Sequence, residues 1–398
     1  MLKVESKQTP VRTIKMAHVI TRLIIGGAQE NTVLTVLGLQ ADPEFEVDLI
    51  SGCEIGPEGR LNISDVKSVI FEPSLVRNVS PIKDILCFFR LIRLFKRKKY
   101  HIVHTHSAKA GILARLAARI AGVPLIVHTV HGLPFHPYQN GTLNGLFITL
   151  EYLCALFTDK FIVVSNEMKN KMLQKGIGKE MLFETIFSGM RLDDFLRAGE
   201  CRLQMRRKLG ILPGHIVIGK IARFFPLKGH EFILDIAGDL IKKHPQIMFL
   251  FVGDGILIHS VQRRIQEMGL EDHFIFTGLV EPEQISLYLS AIDILVHASL
   301  REGLARVLPQ AMAAGVPALS FDIDGASEVI KEGVTGFLVQ PKQTQELKNK
   351  ISILIDNPDL RIKISREGRK IVDPVFRHDY MVDRIKNIYK RSALLRTL

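Results

Sequence analysis

Short, unbroken runs of Val, Ile, Leu and Phe recur along this 398-residue chain at intervals long enough to hold a helix, and they do so in two series. The first comprises MAHVIT at 16–21, EVDLIS at 46–51, HIVHTH at 101–106, LIVHTV at 125–130 and KFIVVS at 160–165. Continuous rather than alternating apolar residues need cover on both faces, as strands of a parallel sheet have when helices pack above and below it. After a charged connector around 196–214 the pattern resumes with IVIGKIAR at 216–223, MFLFVGDG at 248–255, FIFTGLV at 274–280, DILVHAS at 293–299 and VPALSF at 316–321. The length suits two domains. The expected fold class is α/β: two Rossmann-like, doubly wound parallel-sheet domains facing across a cleft, at 1–200 and 201–373. A basic helix over 374–398 is expected to cross back to the first domain.

In open parallel sheets ligands bind beyond the carboxyl ends of the strands, where backbone amides and helix N-termini converge. Residues that follow strands therefore carry the functional argument. The first strand leads into Ile24-Ile25-Gly26-Gly27-Ala28, where two glycines let the backbone approach a ligand, although this is not a GxGxxG dinucleotide fingerprint and a bare tight turn reads equally well. Arg223 closes the first strand of the second series, and Lys228-Gly229 follows just before a helix. Two cations at that place can neutralise a diphosphate without a metal. The most specific segment is SLREGLARVLPQAMAAGVP at 299–317, in which Glu302 follows a strand, Gly303 frees the backbone, and a helix begins whose amides point at whatever Glu302 touches. A carboxylate that accepts from hydroxyls, next to an anion hole, is what a sugar on a diphosphate requires.

Among fourteen histidines, His104, His106 and His128 at strand ends read as packing or hydrogen-bonding groups, and a zinc site from His104 and His106 lacks a third ligand in view. Asp322-Ile323-Asp324 forms a DxD triplet, but no divalent metal and no other cofactor is expected. The formal charge is +12, and between Arg77 and Arg119 eleven Lys/Arg stand against one acid, Asp84, which favours an anionic partner. Within that stretch, PIKDILCFFRLIRLFKRKKY at 81–100 is either a core-packed helix with a solvated basic end or an interfacial helix touching anionic lipid. Leu143 to Phe157 is too short to span a membrane and contains Glu151, so it reads as a buried helix. Four scattered cysteines (Cys53, Cys87, Cys154, Cys201) read as reduced and structural, and the N-terminus has no apolar core of signal-peptide length, so a cytoplasmic protein is expected.

Taken in order, these motifs resemble the retaining glycosyltransferases of the GT-B fold, and within them family 4, also called group 1. The resemblance rests on the diglycine loop Gly26-Gly27, the segment His104-Thr105-His106-Ser107, His131-Gly132, Arg223 with Lys228-Gly229, the turn Gly253-Asp254-Gly255, and the acid loop at Glu302. It implies an N-terminal acceptor-binding domain and a C-terminal nucleotide-sugar-binding domain. It also implies catalytic roles for His131, Arg223, Lys228 and Glu302, and donor contacts from Gly26, Gly27, Gly253, Val280, Gly303, Leu304, Ala305 and Gln310. His131 would face the donor sugar across the cleft. Eight residues after Glu302, where the family often has a second glutamate that contacts the donor ribose, this chain has Gln310, and Ala305 stands where glycine is usual. Altered donor contacts are expected rather than lost catalysis, since a glutamine still accepts a hydrogen bond there.

The activity so implied is transfer of a sugar from a nucleotide-diphosphate donor, a UDP-sugar being favoured, to a glycan or lipid-linked acceptor in assembly of bacterial surface polysaccharide. The enzyme would lie in the cytoplasm or peripherally on the inner face of the cytoplasmic membrane, and no nucleic-acid partner is expected. Two alternatives remain open at this point: a nucleotide-sugar 2-epimerase of the same fold, and a non-catalytic nucleotide-sugar-binding relative.

Overall fold

The structure is a computed structural model that describes residues 13–56 and 59–394. The start of the N-terminal stretch lacking a signal-peptide core, through residue 12, and the last four residues of the expected C-terminal helix lie outside the described residues. Among the described residues thirteen strands form two sheets in which every neighbouring pair is parallel. The first sheet contains β1 (Ile14–Ile20), β2 (Phe45–Ser51), β3 (Val69–Phe71), β4 (Ile102–His106), β5 (Leu125–Val130), β6 (Lys160–Val163) and β7 (Phe183–Thr185), in the order 3-2-1-4-5-6-7. The second contains β8 (Ile216–Ile221), β9 (Ile247–Val252), β10 (Phe274–Phe276), β11 (Ile294–His297), β12 (Ala318–Phe321) and β13 (Gly336–Val339), in the order 10-9-8-11-12-13.

Each order reverses beside its own first strand, between β1 and β4 and between β8 and β11, and this reversal opens a crevice at the carboxyl ends. The central strands are buried along almost their whole length, as continuous apolar runs require. β3, β7 and β13 correspond to none of the apolar runs in the sequence. They are short edge strands with half-exposed residues, so they carry little hydrophobic signal.

Three helices cover one face of the first sheet. The Pro81–Lys98 helix starts with proline at its first position, packs against the Ala108–Ala121 helix, and buries only Cys87, Leu91 and Phe95. Its other apolar side, Ile82, Ile85, Leu86 and Phe89, is exposed. The third helix, Gly141–Ala155, starts at Asn140, whose side chain accepts from the Thr142 amide. It corrects the expectation of a buried helix: the residues it buries are Glu151, Cys154 and Ala155, while Leu143, Leu146, Tyr152 and Leu153 face outward, with Leu156 just beyond its end. The cause is an ion pair. Glu151 must reach Arg115, at 2.7 Å and with both side chains almost fully buried, and pointing that polar stripe inward turns the leucines out.

On the opposite face the Gly27–Gln40 helix packs against the C-terminal helix, His378–Leu394. Met381, Val382, Ile385, Ile388 and Tyr389 of that helix join the apolar cluster beneath β1, β2 and β5. Asn31 donates to the Met381 sulfur at 3.0 Å, while Lys386 pairs with Asp42 and Lys390 with Glu44. Another apolar cluster runs from Phe161, Val163 and Met168 of the first half to Leu304, Ala305 and Leu308 of the second, so the halves share packed core.

Candidate active site

The loops after β1, β5, β8 and β11 meet between the sheets. Arg223 follows β8 and lies over the Phe225 ring, 5.1 Å from its centroid, an arrangement that holds the guanidinium in place. The Lys228-Gly229 turn then folds back onto the end of β11. Gly229 has φ of 70°, and a Cβ there would fall 1.8 Å from the Ala298 carbonyl oxygen, so this close approach admits glycine alone. The turn brings Lys228 Nζ to 2.6 Å from Glu302 Oε1, with His297 Nε2 at 3.5 Å from the same oxygen. Burial works to raise the Glu302 carboxyl, but Lys228 and His297 outweigh it and hold it well below the usual carboxylate range. Glu302 is thus an acceptor at any ordinary pH.

The backbone of this loop is held as tightly as its side chain. The Glu302 amide donates to Asp324 Oδ2 at 2.7 Å, and Asp324 Oδ1 lies 2.8 Å from Lys171 of the first half. Both oxygens of the second DxD aspartate are therefore spent on protein groups. Gly303 passes so near the first half that an added Cβ would lie 1.8 Å from the His131 carbonyl oxygen. Arg301 donates to the Leu133 carbonyl, and Arg306 pairs with Glu30 at 2.7 Å and reaches the Gly27 carbonyl at 3.3 Å. The Asn166–Gln174 helix is capped by Ser165, whose hydroxyl accepts from the Met168 amide at 3.3 Å, and Glu328 adds to this from across the cleft by accepting from the amides of Asn166 and Glu167, both at 2.9 Å.

These loops enclose a cavity of about 440 Å³ lined by His131, Arg223, Lys228, Glu302, Gly303, Leu304 and Ala305, with Gly26 and Gly27 opposite. Gly253, Val280 and Gln310 are not among its lining residues. Gly253 packs against the end of β8, where a Cβ would be 2.3 Å from the Ala222 oxygen, and Gln310 is buried in the Val307–Ala314 helix. Three further cations line the cavity: Arg22, Arg77 and Arg306. None was singled out from the sequence as a site residue, although Arg77 opens the basic stretch and Arg306 lies inside the Glu302 segment. Glu302 also borders a second cavity of about 730 Å³, lined in part by Phe135, Tyr138, Asn144, Ile148, Lys171 and Arg301.

Behind this front lie groups without sequence signal. Lys220 on β8 is 1% exposed, and its Nζ has no hydrogen-bond partner. Burial, reinforced by Lys228, brings it down to about 7. In the first half His18 completes a trio with His104 and His106, supplying the third imidazole that the sequence did not bring into view, with nitrogen atoms within 4.8 Å of one another. The rings are, however, committed to hydrogen bonds among themselves, to His131, to Thr129 and to Tyr389.

Known proteins share this architecture. The sequence profile of the family described as Glycosyltransferase Family 4 matches residues 25–182, and that of Glycosyl transferases group 1 matches residues 202–371. The chain is 31% identical over 379 residues, 94% of its own length and 96% of the relative's, to the Escherichia coli UDP-Gal:alpha-D-GlcNAc-diphosphoundecaprenol alpha-1,3-galactosyltransferase. It is 23% identical over 317 residues to the Staphylococcus aureus capsular polysaccharide biosynthesis glycosyltransferase CapM, covering 79% of this chain and 82% of that protein. The fold matches Anabaena HepE in complex with UDP-glucose at a TM-score of 0.81 and 21% identity, covering 95% of this chain and all of that one. WaaG, a glycosyltransferase involved in lipopolysaccharide biosynthesis, matches at a TM-score of 0.74 and 13% identity over 94% of this chain and 99% of that one. Since the two profiles fall in order on the two sheets and a relative above 30% identity aligns almost end to end, the chain belongs to the group 1, family 4 glycosyltransferases and is an enzyme of the GT-B fold.

Proposed function

We propose that the enzyme transfers a sugar with retention from a UDP-sugar to a lipid-linked glycan acceptor, without a divalent metal, in the building of a bacterial surface polysaccharide. The observation that carries this reading is the 440 Å³ cavity, lined by Arg22, Arg77, Arg223, Lys228 and Arg306, with Glu302 its one lining carboxylate, although Arg306 is paired with Glu30 outside the lining. A diphosphate fits that balance, while an ionised Glu302 accepts from the hydroxyls of the sugar it carries.

As the bond from the anomeric carbon to the diphosphate breaks, negative charge grows on the leaving oxygen. Arg223, Lys228 and the amides after Glu302 stabilise it. The acceptor hydroxyl attacks the same face, and its proton passes to the departing phosphate, so no covalent intermediate is needed. The acceptor enters through the 730 Å³ cavity, which meets the first at Glu302. Asn144 and Ile148 of the Gly141–Ala155 helix line it, and the outward leucines of that helix lie on the same side of the sheet as the exposed apolar residues and lysines of Pro81–Lys98. A lipid surface suits that side. The Escherichia coli relative, whose name gives a UDP-galactose donor and a diphosphoundecaprenol acceptor, supports the same substrate classes.

Thermal-shift measurements against UDP-, GDP- and ADP-sugars, followed by mass spectrometry with membrane extract, test the reading. UDP-sugars should stabilise the protein, and EDTA should leave turnover unchanged. Lys228→Ala and Arg223→Ala should each lower turnover by about 100-fold. Near-normal turnover in both would sink the assignment, and a new sugar nucleotide formed without acceptor would identify an epimerase instead.

A further inference from the structure

His131 is the end of a chain of hydrogen bonds that crosses the first half. Its Nε2 lies 3.0 Å from His106 Nδ1, and His106 Nε2 lies 2.9 Å from His18 Nδ1. His18 Nε2 then meets the Tyr389 hydroxyl at 3.4 Å. That hydroxyl is 2.5 Å from His104 Nδ1, and His104 Nε2 is 2.6 Å from Thr129 Oγ1. Tyr389 arrives on the C-terminal helix, 371 residues after His18. His18, His104, His106 and Tyr389 are buried.

A neutral imidazole has one N–H and one lone pair, so in such a chain the tautomer of each ring dictates that of the next. Burial keeps the rings neutral: it depresses His104 and His106 far below their ordinary value and brings His18 and His131 to about 3. The direction follows from Tyr389. A phenol is a much stronger acid than a neutral imidazole, so its better hydrogen bond is the one it donates. The 2.5 Å contact is therefore Tyr389 O–H to His104 Nδ1, and the 3.4 Å contact is His18 Nε2–H to the phenol oxygen. All four rings then carry Nε2–H, with His131 donating to His106.

From this we infer that Tyr389, His18 and His106 are positioning residues that hold His131 as its Nε2–H tautomer and turn its Nδ1 lone pair to the cleft, where it accepts from a hydroxyl of the donor sugar. The contact with sugar rests on the proposed donor reading, whereas the tautomer does not. The chain also makes the site depend on the C-terminal helix, because without Tyr389 the rings have no group to fix their direction.

Long-range proton–nitrogen spectra of the full chain labelled in histidine with nitrogen-15 read the protonated nitrogen of each ring without any ligand. His18, His104, His106 and His131 should all be Nε2–H at pH 7. In Tyr389→Phe the His131 signal should become a mixture of tautomers, and release of UDP from UDP-galactose should slow about tenfold while affinity for UDP stays within about twofold, the pattern of one lost hydrogen bond to the sugar. An Nδ1–H or doubly protonated His131 overturns the inference, as does stoichiometric zinc on His18, His104 and His106, or a Tyr389→Phe protein with altered tautomers and unaltered turnover. If Tyr389→Phe fails to fold, the wild-type tautomers still decide. Failure of the unsubstituted protein to bind UDP would overturn the donor reading and the sugar contact with it, separately from the tautomers.

Discussion

Lys228, 2.6 Å from Glu302, and Lys220, behind it and without a hydrogen-bond partner, are cations with opposite energetics. The first is paired with a carboxylate and lines the cavity. The second is shut away from water and costs stability. Lys220 releases its proton at about 7 in the folded protein and at about 10.5 when unfolded, so between those values the unfolded chain binds more protons and stability rises with pH. Lys220→Met should remove that slope and raise stability at or below pH 7 by on the order of 1–3 kcal/mol, as relief of a buried charge does. Urea unfolding at pH 6 and pH 9 measures it, and an unchanged slope would place the proton release elsewhere. Arg223, Lys228 and Glu302 were legible in the sequence as candidates not for their charge, since loop charges are usually solvated, but because they follow apolar runs at strand ends, with Lys228 and Glu302 each next to a glycine ahead of a helix. Lys220 was not, because it sits inside such a run, IVIGKIAR, and nothing local distinguishes a buried lysine from one that curls to the surface. His18 and Tyr389 were illegible for a different reason, since their partnership exists only after the chain has doubled back.

At the scale of elements, ten apolar runs correspond to strands of the sheets, and β3, β7 and β13 do not. A strand is visible in sequence to the degree that it is covered on both faces; three of the four edge strands are not, and the fourth, β10, shows only through Phe274 and Phe276, which pack with Phe249 and Phe251. The Gly141–Ala155 helix shows the converse error: its composition is that of a buried helix, but one ion pair sets its rotation. With the Pro81–Lys98 helix it leaves Ile82 82% exposed and Leu156, at its own end, 70% exposed. If these residues enter a lipid surface, the protein should co-sediment with vesicles containing anionic lipid, less with purely zwitterionic ones, and Ile82→Asp with Leu146→Asp should reduce the bound fraction about tenfold or more. Equal sedimentation of the variant and the unsubstituted protein would remove the membrane from the proposed function.

At the scale of the molecule, the reversed strand orders make the cleft, and cross-cleft contacts at Asp324, Arg306 and Glu328 hold its walls together. The two-sheet plan was legible from the doubled series of runs. The seam was not, because its members are ordinary loop charges until the halves meet. Glu328→Ala should leave the Asn166 and Glu167 amides without their cross-cleft acceptor, with the Ser165 cap still in place, and weaken protection of the Asn166–Gln174 helix by about 1 kcal/mol in hydrogen exchange, leaving the far strands unchanged. Protection that falls uniformly would mean that the seam sets global stability instead.

The C-terminal helix puts its apolar stripe into the first half although it follows the second in sequence. The first half is thus a discontinuous body, closed by a helix made after the second half. A single cut between the exposed Gly199 and Glu200 should leave two fragments that travel together through gel filtration, clasped by His378–Leu394. Separation of the fragments would show the clasp to be weak. Synthesis meets the same constraint: the ribosome finishes the first sheet early, but the surface that receives Tyr389 must wait, uncovered, until the whole second sheet and the His378–Leu394 helix have been made.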